Sequence, residues 1–131
     1  MRNAATPACF KRLLNVDQME VPSYFYTGDR LLQILHTRLR TNCSSLSSDL
    51  FHKNMTDSAL CFCGEIENSH HFFLKCHLYT EHRILLLSEL SQYCDPIIDV
   101  ILNGNSSLSY ETNVCIFKAV QLYIKRTKRF N

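Results

Sequence analysis

Tryptophan is missing from this 131-residue chain, and glycine and proline occur only three times each. No apolar stretch approaches the roughly 20 residues that cross a bilayer, so no membrane span is expected. So few Gly and Pro exclude collagen-like and low-complexity classes, and 46% apolar residues supply a core. A single helical domain over residues 23–131 is expected, preceded by a flexible segment, 1–22. The N-terminus MRNAATPACFKRLLNV has no continuous apolar core of the kind a secretory signal carries. The expected location is therefore nucleus or cytoplasm, not the secretory route. Seven cysteines in such a chain read better as thiols and ligands than as a disulfide framework, which an odd count also disfavours.

Other absences bear on chemistry. There is no C-x-x-C redox pair and no adjacent Asp pair of the kind a polymerase uses to hold its metals. Net charge is only +2. No carboxylate follows Glu111, however, so Lys118, Lys125, Arg126, Lys128 and Arg129 make the C-terminus basic.

Helical periodicity dominates what is present, and the expected fold class is mainly α. DRLLQILHTRLRT (29–41) places Leu31, Leu32, Ile34, Leu35 and Leu39 on one stripe, with Asp29 at the positive end of the helix. Gly28 and the run Tyr24, Phe25, Tyr26 predict an extended lead-in packed on that helix. SSLSSD should cap a short helix carrying Leu50 and Phe51. LYTEHRILLLSELSQY predicts a long helix with Thr80 as N-cap and Leu78, Ile84, Leu85, Leu86 and Leu90 available for burial. Pro96 should sit early in the next short helix, PIIDVIL, which Asn103 and Gly104 end. From Ser109, a good N-cap, a last helix carries Tyr110, Val114, Phe117, Val120 and Ile124 at helical spacing.

CFCGEIENSHHFFLKC (61–76) interrupts this pattern. Its spacing, Cys61-x-Cys63-x7-His71-x4-Cys76, offers the four soft or borderline donors that zinc takes in a tetrahedron, leaving no open position for catalysis. A structural zinc in a short hairpin or knuckle near 59–76 is implied. Gly64 permits the tight turn that lets both thiolates face the ion, with backbone N–H groups towards their sulfurs. Glu65, Glu67, Asn68 and Ser69 read as a polar loop, and Phe72, Phe73 and Leu74 as the apolar wall of the site. His70 or His77 could replace His71. The bland alternative is three small core thiols and surface imidazoles; a Cys–His nucleophilic pair has no identifiable orienting group.

The pattern C-x-C-G-E-x-E, then H-F-F-L-x-C-x-L-Y-T, resembles the zinc-binding segment downstream of the polymerase in non-LTR (LINE-type) retrotransposon reverse transcriptases. Cys61, Cys63, His71 and Cys76 match that family's ligands one by one, and the flanking text is similar over residues 22–130. His70 stands where the family commonly has an acid, and His77 where it commonly has Pro. The polymerase and endonuclease themselves are absent, so no enzymatic activity is expected. The resemblance implies an accessory role: holding RNA or DNA, alongside a reverse transcriptase domain, during target-primed reverse transcription.

Nucleic-acid binding requires clustered cations. Lys125, Arg126, Lys128 and Arg129 supply one cluster, and Arg38 and Arg40 with Arg30 and Lys53 another. Tyr123, Phe130, Phe62 and Phe72 are candidates to stack on unpaired bases. With so small a net charge, binding should be weak, non-specific and salt-dependent. The alternative is a protein-interaction module or an inert remnant in which zinc only secures the fold.

Overall fold

A computed structural model describes residues 21–131. Except for Val21 and Pro22, the segment expected to be flexible lies outside the described residues. Among the described residues six α-helices follow one another: α1 (Arg30–Arg40), α2 (Ser47–His52), α3 (Ser69–Leu74), α4 (Thr80–Leu90), α5 (Ile98–Asn103) and α6 (Tyr110–Thr127). Two short 3-10 helices, Ser23–Tyr26 and His77–Tyr79, precede α1 and α4. Among the described residues there is no strand, only one isolated antiparallel bridge between Leu60 and Ile66. The mainly helical expectation holds.

Helix α6 forms the axis. The Ser109 hydroxyl accepts the Thr112 N–H at 3.1 Å, as its cap position predicts. Ile116, Phe117, Val120, Tyr123 and Ile124 then recur on one buried face, while Tyr110 is exposed. Helices α1 and α4 pack on this face, and α5 packs against both α1 and α6. In α1 the Asp29 carboxylate caps Leu32 N–H at 2.9 Å, and Leu39 is fully buried. Leu31, expected on the buried stripe, is 64% exposed.

The inner side of α1 contributes polar groups instead. His36 is buried, with Nε2 2.9 Å from the Ile101 carbonyl and its ring 4.4 Å from that of Phe117. Arg40 donates from Nε to the Leu102 carbonyl at 2.6 Å and lays its guanidinium 3.9 Å over the Phe25 ring.

Five local expectations need correction. The run Tyr24 to Tyr26 coils into a 3-10 helix rather than extending, because this brings Tyr24 and Phe25 onto Phe117 at ring separations of 5.3 and 5.5 Å. Gly28 then turns at φ 88°, where a Cβ would collide with the Gln121 side chain that donates to the Thr27 carbonyl at 2.9 Å. No serine caps α2: Leu46 occupies the cap position, while Ser44 binds the Asp49 carboxylate. Thr80 is the first residue of α4, one place inside the cap, and Pro96 lies outside α5, which starts at Ile98. Finally, Leu78, Ile84 and Leu85 are 46%, 62% and 52% exposed, so α4 buries only Leu86 and Leu90.

Candidate metal centre

A short hairpin and helix α3 build the site. Cys61 N–H donates to the Glu65 carbonyl at 2.7 Å, and Glu67 N–H to that of Ala59 at 2.8 Å, which pairs the two arms. Gly64 turns between them at φ 97°, a left-handed conformation that favours glycine, and its N–H closes on the Cys61 carbonyl at 2.9 Å. Cys61 and Cys63 therefore sit on one side of a tight turn. Asn68 then caps α3 by accepting the His71 N–H at 2.8 Å, which fixes where the His71 ring begins. The helix ends within a turn, and Cys76 N–H returns to the His71 carbonyl at 2.8 Å. Arg83 of α4 donates to the Phe73 and Cys76 carbonyls and holds this end.

The outcome is a convergent set of donors. One ligand atom each from Cys61, Cys63, His71 and Cys76 lies within 4.8 Å of every other. Cys61 Sγ is 3.6 Å from Cys76 Sγ, and Cys63 Sγ is 3.2 Å from His71 Nε2. A zinc tetrahedron with bonds of about 2.3 Å to sulfur and about 2.0 Å to nitrogen has edges of roughly 3.8 and 3.5 Å. The four donors thus already stand near the corners that such an ion would need. His70 and His77 are exposed, and neither belongs to the converging set, so His71 is the imidazole that the fold brings in.

Electrostatics fit a ligand set better than a nucleophile. Burial pushes the Cys61 thiol up to about 12; the Cys63 N–H opposes this, and the Cys76 and Cys63 thiols add to it. Without a cation such a thiol stays protonated at neutral pH and unreactive. Burial also lowers the His71 pKa, against the pull of Glu67 and Glu65, and this keeps the ring in the neutral form that binds metal.

Around the donors, the apolar wall differs in part from expectation. Phe72 and Phe73 are fully buried, but in the main core: Phe72 packs edge-on to Tyr123 at 5.2 Å and Phe130 at 5.4 Å. Tyr123 donates its hydroxyl to the Phe72 carbonyl at 2.5 Å. Tyr123 and Phe72 are therefore enclosed and cannot stack on bases, and Phe130 is half-buried. Phe62, at the hairpin turn, is 98% exposed.

Glu67, read as part of a polar loop, is 2% exposed and ties three parts of the chain together. Its carboxylate receives Arg129 Nε at 2.8 Å and Nη2 at 2.7 Å, and the Ser47 N–H at 2.8 Å. Its carbonyl accepts the Ser48 N–H at 2.9 Å, so the hairpin supplies the cap that α2 lacks. Burial raises the carboxyl pKa, but the Arg129 guanidinium and Ser47 outweigh it and hold the group below its ordinary range. No sequence signal marks this pair, whose members stand 62 residues apart.

The cations expected to meet nucleic acid divide accordingly, with Arg30 and Lys53 exposed. Lys125, Arg126, Lys128 and Arg38 are not enclosed by the fold: Lys125, Arg126 and Lys128 lie along the end of α6, and Arg38 in the last turn of α1. Arg129 is committed to Glu67 and to the Ser45 carbonyl at 3.2 Å, and Arg40 to Leu102 and Phe25. Both of these guanidiniums have internal partners.

Comparison with protein-family models, with curated proteins and with solved structures found no match. None of the six helices is long and apolar enough to cross a membrane, among the described residues.

Proposed function

We propose that this chain is a zinc-stabilised helical domain, without catalytic machinery of its own, that holds single-stranded or structured nucleic acid. The four donors suit zinc by number, type and spacing: three sulfurs and one neutral imidazole favour it over hard cations, which take oxygen. When bound, the ion supplies cross-linking alone, because the protein provides all four ligands. Cys61 and Cys63 would anchor the hairpin, and His71 and Cys76 both ends of α3.

The observation that carries the nucleic-acid reading is the Glu67–Arg129 pair. It seats the basic end of α6 on the hairpin whose turn presents Phe62. The exposed Phe62 ring on the hairpin would supply a stacking surface, Lys125, Arg126 and Lys128 near the fastened end of α6 would supply cations for phosphate, and Arg38 would add a cation from α1. This suits the accessory role implied by the resemblance to retrotransposon polymerase C-termini: RNA or DNA held for a reverse transcriptase domain, in nucleus or cytoplasm. The test is fluorescence anisotropy with a single-stranded oligonucleotide at two salt concentrations. Affinity should fall steeply with salt, and Lys125→Gln with Lys128→Gln should flatten that slope by about one unit for each phosphate left without its cation. Binding indifferent to both changes defeats the reading.

A further inference from the structure

Helix α4 distributes its leucines and isoleucine around the axis instead of along one stripe, a pattern that normally accompanies burial on several sides. Here α6 covers only part of it. Leu86 and Leu90 are buried, while Leu85 remains 52% exposed and Leu122 of α6 beside it 42%. Between the two helices runs an open trough of about 510 Å³. Its walls keep helical spacing: His82, Leu85 and Glu89 along α4, and Lys118, Leu122 and Arg126 along α6. The residues from Lys118 to Arg126 span roughly 12 Å at 1.5 Å per residue, a little over two helical turns.

We propose that this trough docks an acidic amphipathic helix of a partner protein. Leucines on the partner, spaced at i, i+4 and i+7, would seat on Leu85 and Leu122, as helices do in apolar grooves. Lys118 and Arg126 give the lining an excess of positive charge over its single carboxylate, Glu89, and this selects flanking acids. A second copy of this chain fits worse, because symmetric pairing would bring two copies of Lys118 and Arg126 into one interface with only the two Glu89 carboxylates to oppose them. Nucleic acid fits worse too: Tyr123 in the lining is 2% exposed and offers no stacking face, which leaves the partly exposed His82 ring alone among apolar side chains. The trough shares only Arg126 with the cations proposed for nucleic acid and does not include the hairpin, so the inference stands on Leu85, Leu122 and Lys118 whether or not the nucleic-acid reading does.

The experiment is an NMR titration of the full ¹⁵N-labelled chain, purified with zinc. The probe is a synthetic peptide of about four turns, with leucines at that spacing and glutamates between them. A scrambled peptide of the same composition, and a single-stranded oligonucleotide, serve as controls. The expected result is amide shifts confined to the facing sides of α4 and α6. Leu85→Gln with Leu122→Gln, and separately Lys118→Glu, should weaken binding tenfold or more without moving the thermal midpoint. Since Lys118 is exposed, its variant keeps the test valid if the double variant folds poorly. Equal binding of the scrambled peptide, no binding of the ordered one, or shifts elsewhere would overturn the proposal. So would an oligonucleotide that shifts the amides of Leu85, Lys118 and Leu122, or self-association that Leu122→Gln abolishes.

Discussion

The two ends of this molecule are held by different forces. Where α1, α5 and α6 meet, Leu39, Ile101, Ile116 and Phe117 are all fully buried, and removal of apolar surface from water supplies the cohesion. At the hairpin, Leu60, Phe62 and Ile66 are 51%, 98% and 55% exposed. A two-stranded ribbon that buries so little is marginal by itself. The Glu67–Arg129 pair fastens it, and an ion held by the four converging donors would fasten it further. One end thus depends on apolar packing and the other on charge and, under the proposed zinc site, on coordination, so different reagents should undo them.

Metal removal should separate them most sharply. Zinc sites of this donor type contribute apparent binding energies on the order of 10 kcal/mol, comparable to the stability of a whole domain. Chelation, or Cys61→Ser, should abolish hydrogen-exchange protection across residues 59–76. The effect should spread to α4 and the C-terminal half of α6, because Phe72 and Phe73 lie in the same segment and pack on Tyr123. Amides of α1 and of the first half of α6, around Leu39, Ile116 and Phe117, should retain protection longest. Elemental analysis should find one zinc per chain, and protection of 59–76 that ignores a chelator would erase the contrast.

Next in size is the charge fastening. Glu67→Ala deprives the Arg129 guanidinium of its carboxylate and the Ser47 N–H of its acceptor, a cost on the order of 3 kcal/mol in denaturant unfolding. The carboxyl pKa is held below its unfolded value, so this stabilisation is present above that value and disappears as pH falls through the folded one. Subtracting the acid unfolding curve of Glu67→Gln from that of the parent should isolate this contribution. Coincident curves would mean the pair fastens nothing.

These two fastenings were unequally legible in the sequence. The converging donors could be read because Cys61, Cys63, His71 and Cys76 fall within one short segment, and the donors a tetrahedral ion would need are constrained in type and spacing together. The long helices could be read because Asp29 and Ser109 are good caps and apolar residues repeat behind them. Glu67 and Arg129 could not be read, since an isolated acid and a helix-terminal cation each have ordinary local roles. Helix α4 misled for the opposite reason: with Ile84, Leu85, Leu86 and Leu87 in a row, its sequence names no single inward face. Tertiary packing chose Leu86 and left Ile84 and Leu85 in solvent.

The packed end has its own titratable reporter. Burial, reinforced by the Arg40 charge and opposed by the Ile101 carbonyl, lowers the His36 pKa from 6.5 to about 3. Its Nδ1 is buried without a hydrogen-bond partner. Between those two values the unfolded chain takes up a proton that the native ring refuses. Stability should therefore fall as pH drops through that window, by up to about 1.4 kcal/mol per unit. In His36→Leu that slope should be shallower by one proton, whatever offset the missing bond to Ile101 adds. An unchanged slope would mean that the acid sensitivity resides wholly at the hairpin.

The smallest effect on stability is expected where exposure is greatest. Phe62 projects from the Gly64 turn with 98% of its surface in water, so Phe62→Ser should change the unfolding free energy by no more than about 0.5 kcal/mol and leave zinc content unchanged. If the ring stacks on a base, the same substitution should cost about 1–3 kcal/mol of oligonucleotide affinity at any fixed salt concentration. The salt slope should not move, because every cation that meets a phosphate is still in place. A ring that matters to neither stability nor affinity would limit the hairpin to fastening α2 and the end of α6 through Glu67. A drop in affinity alone would make this exposed side chain part of the binding surface.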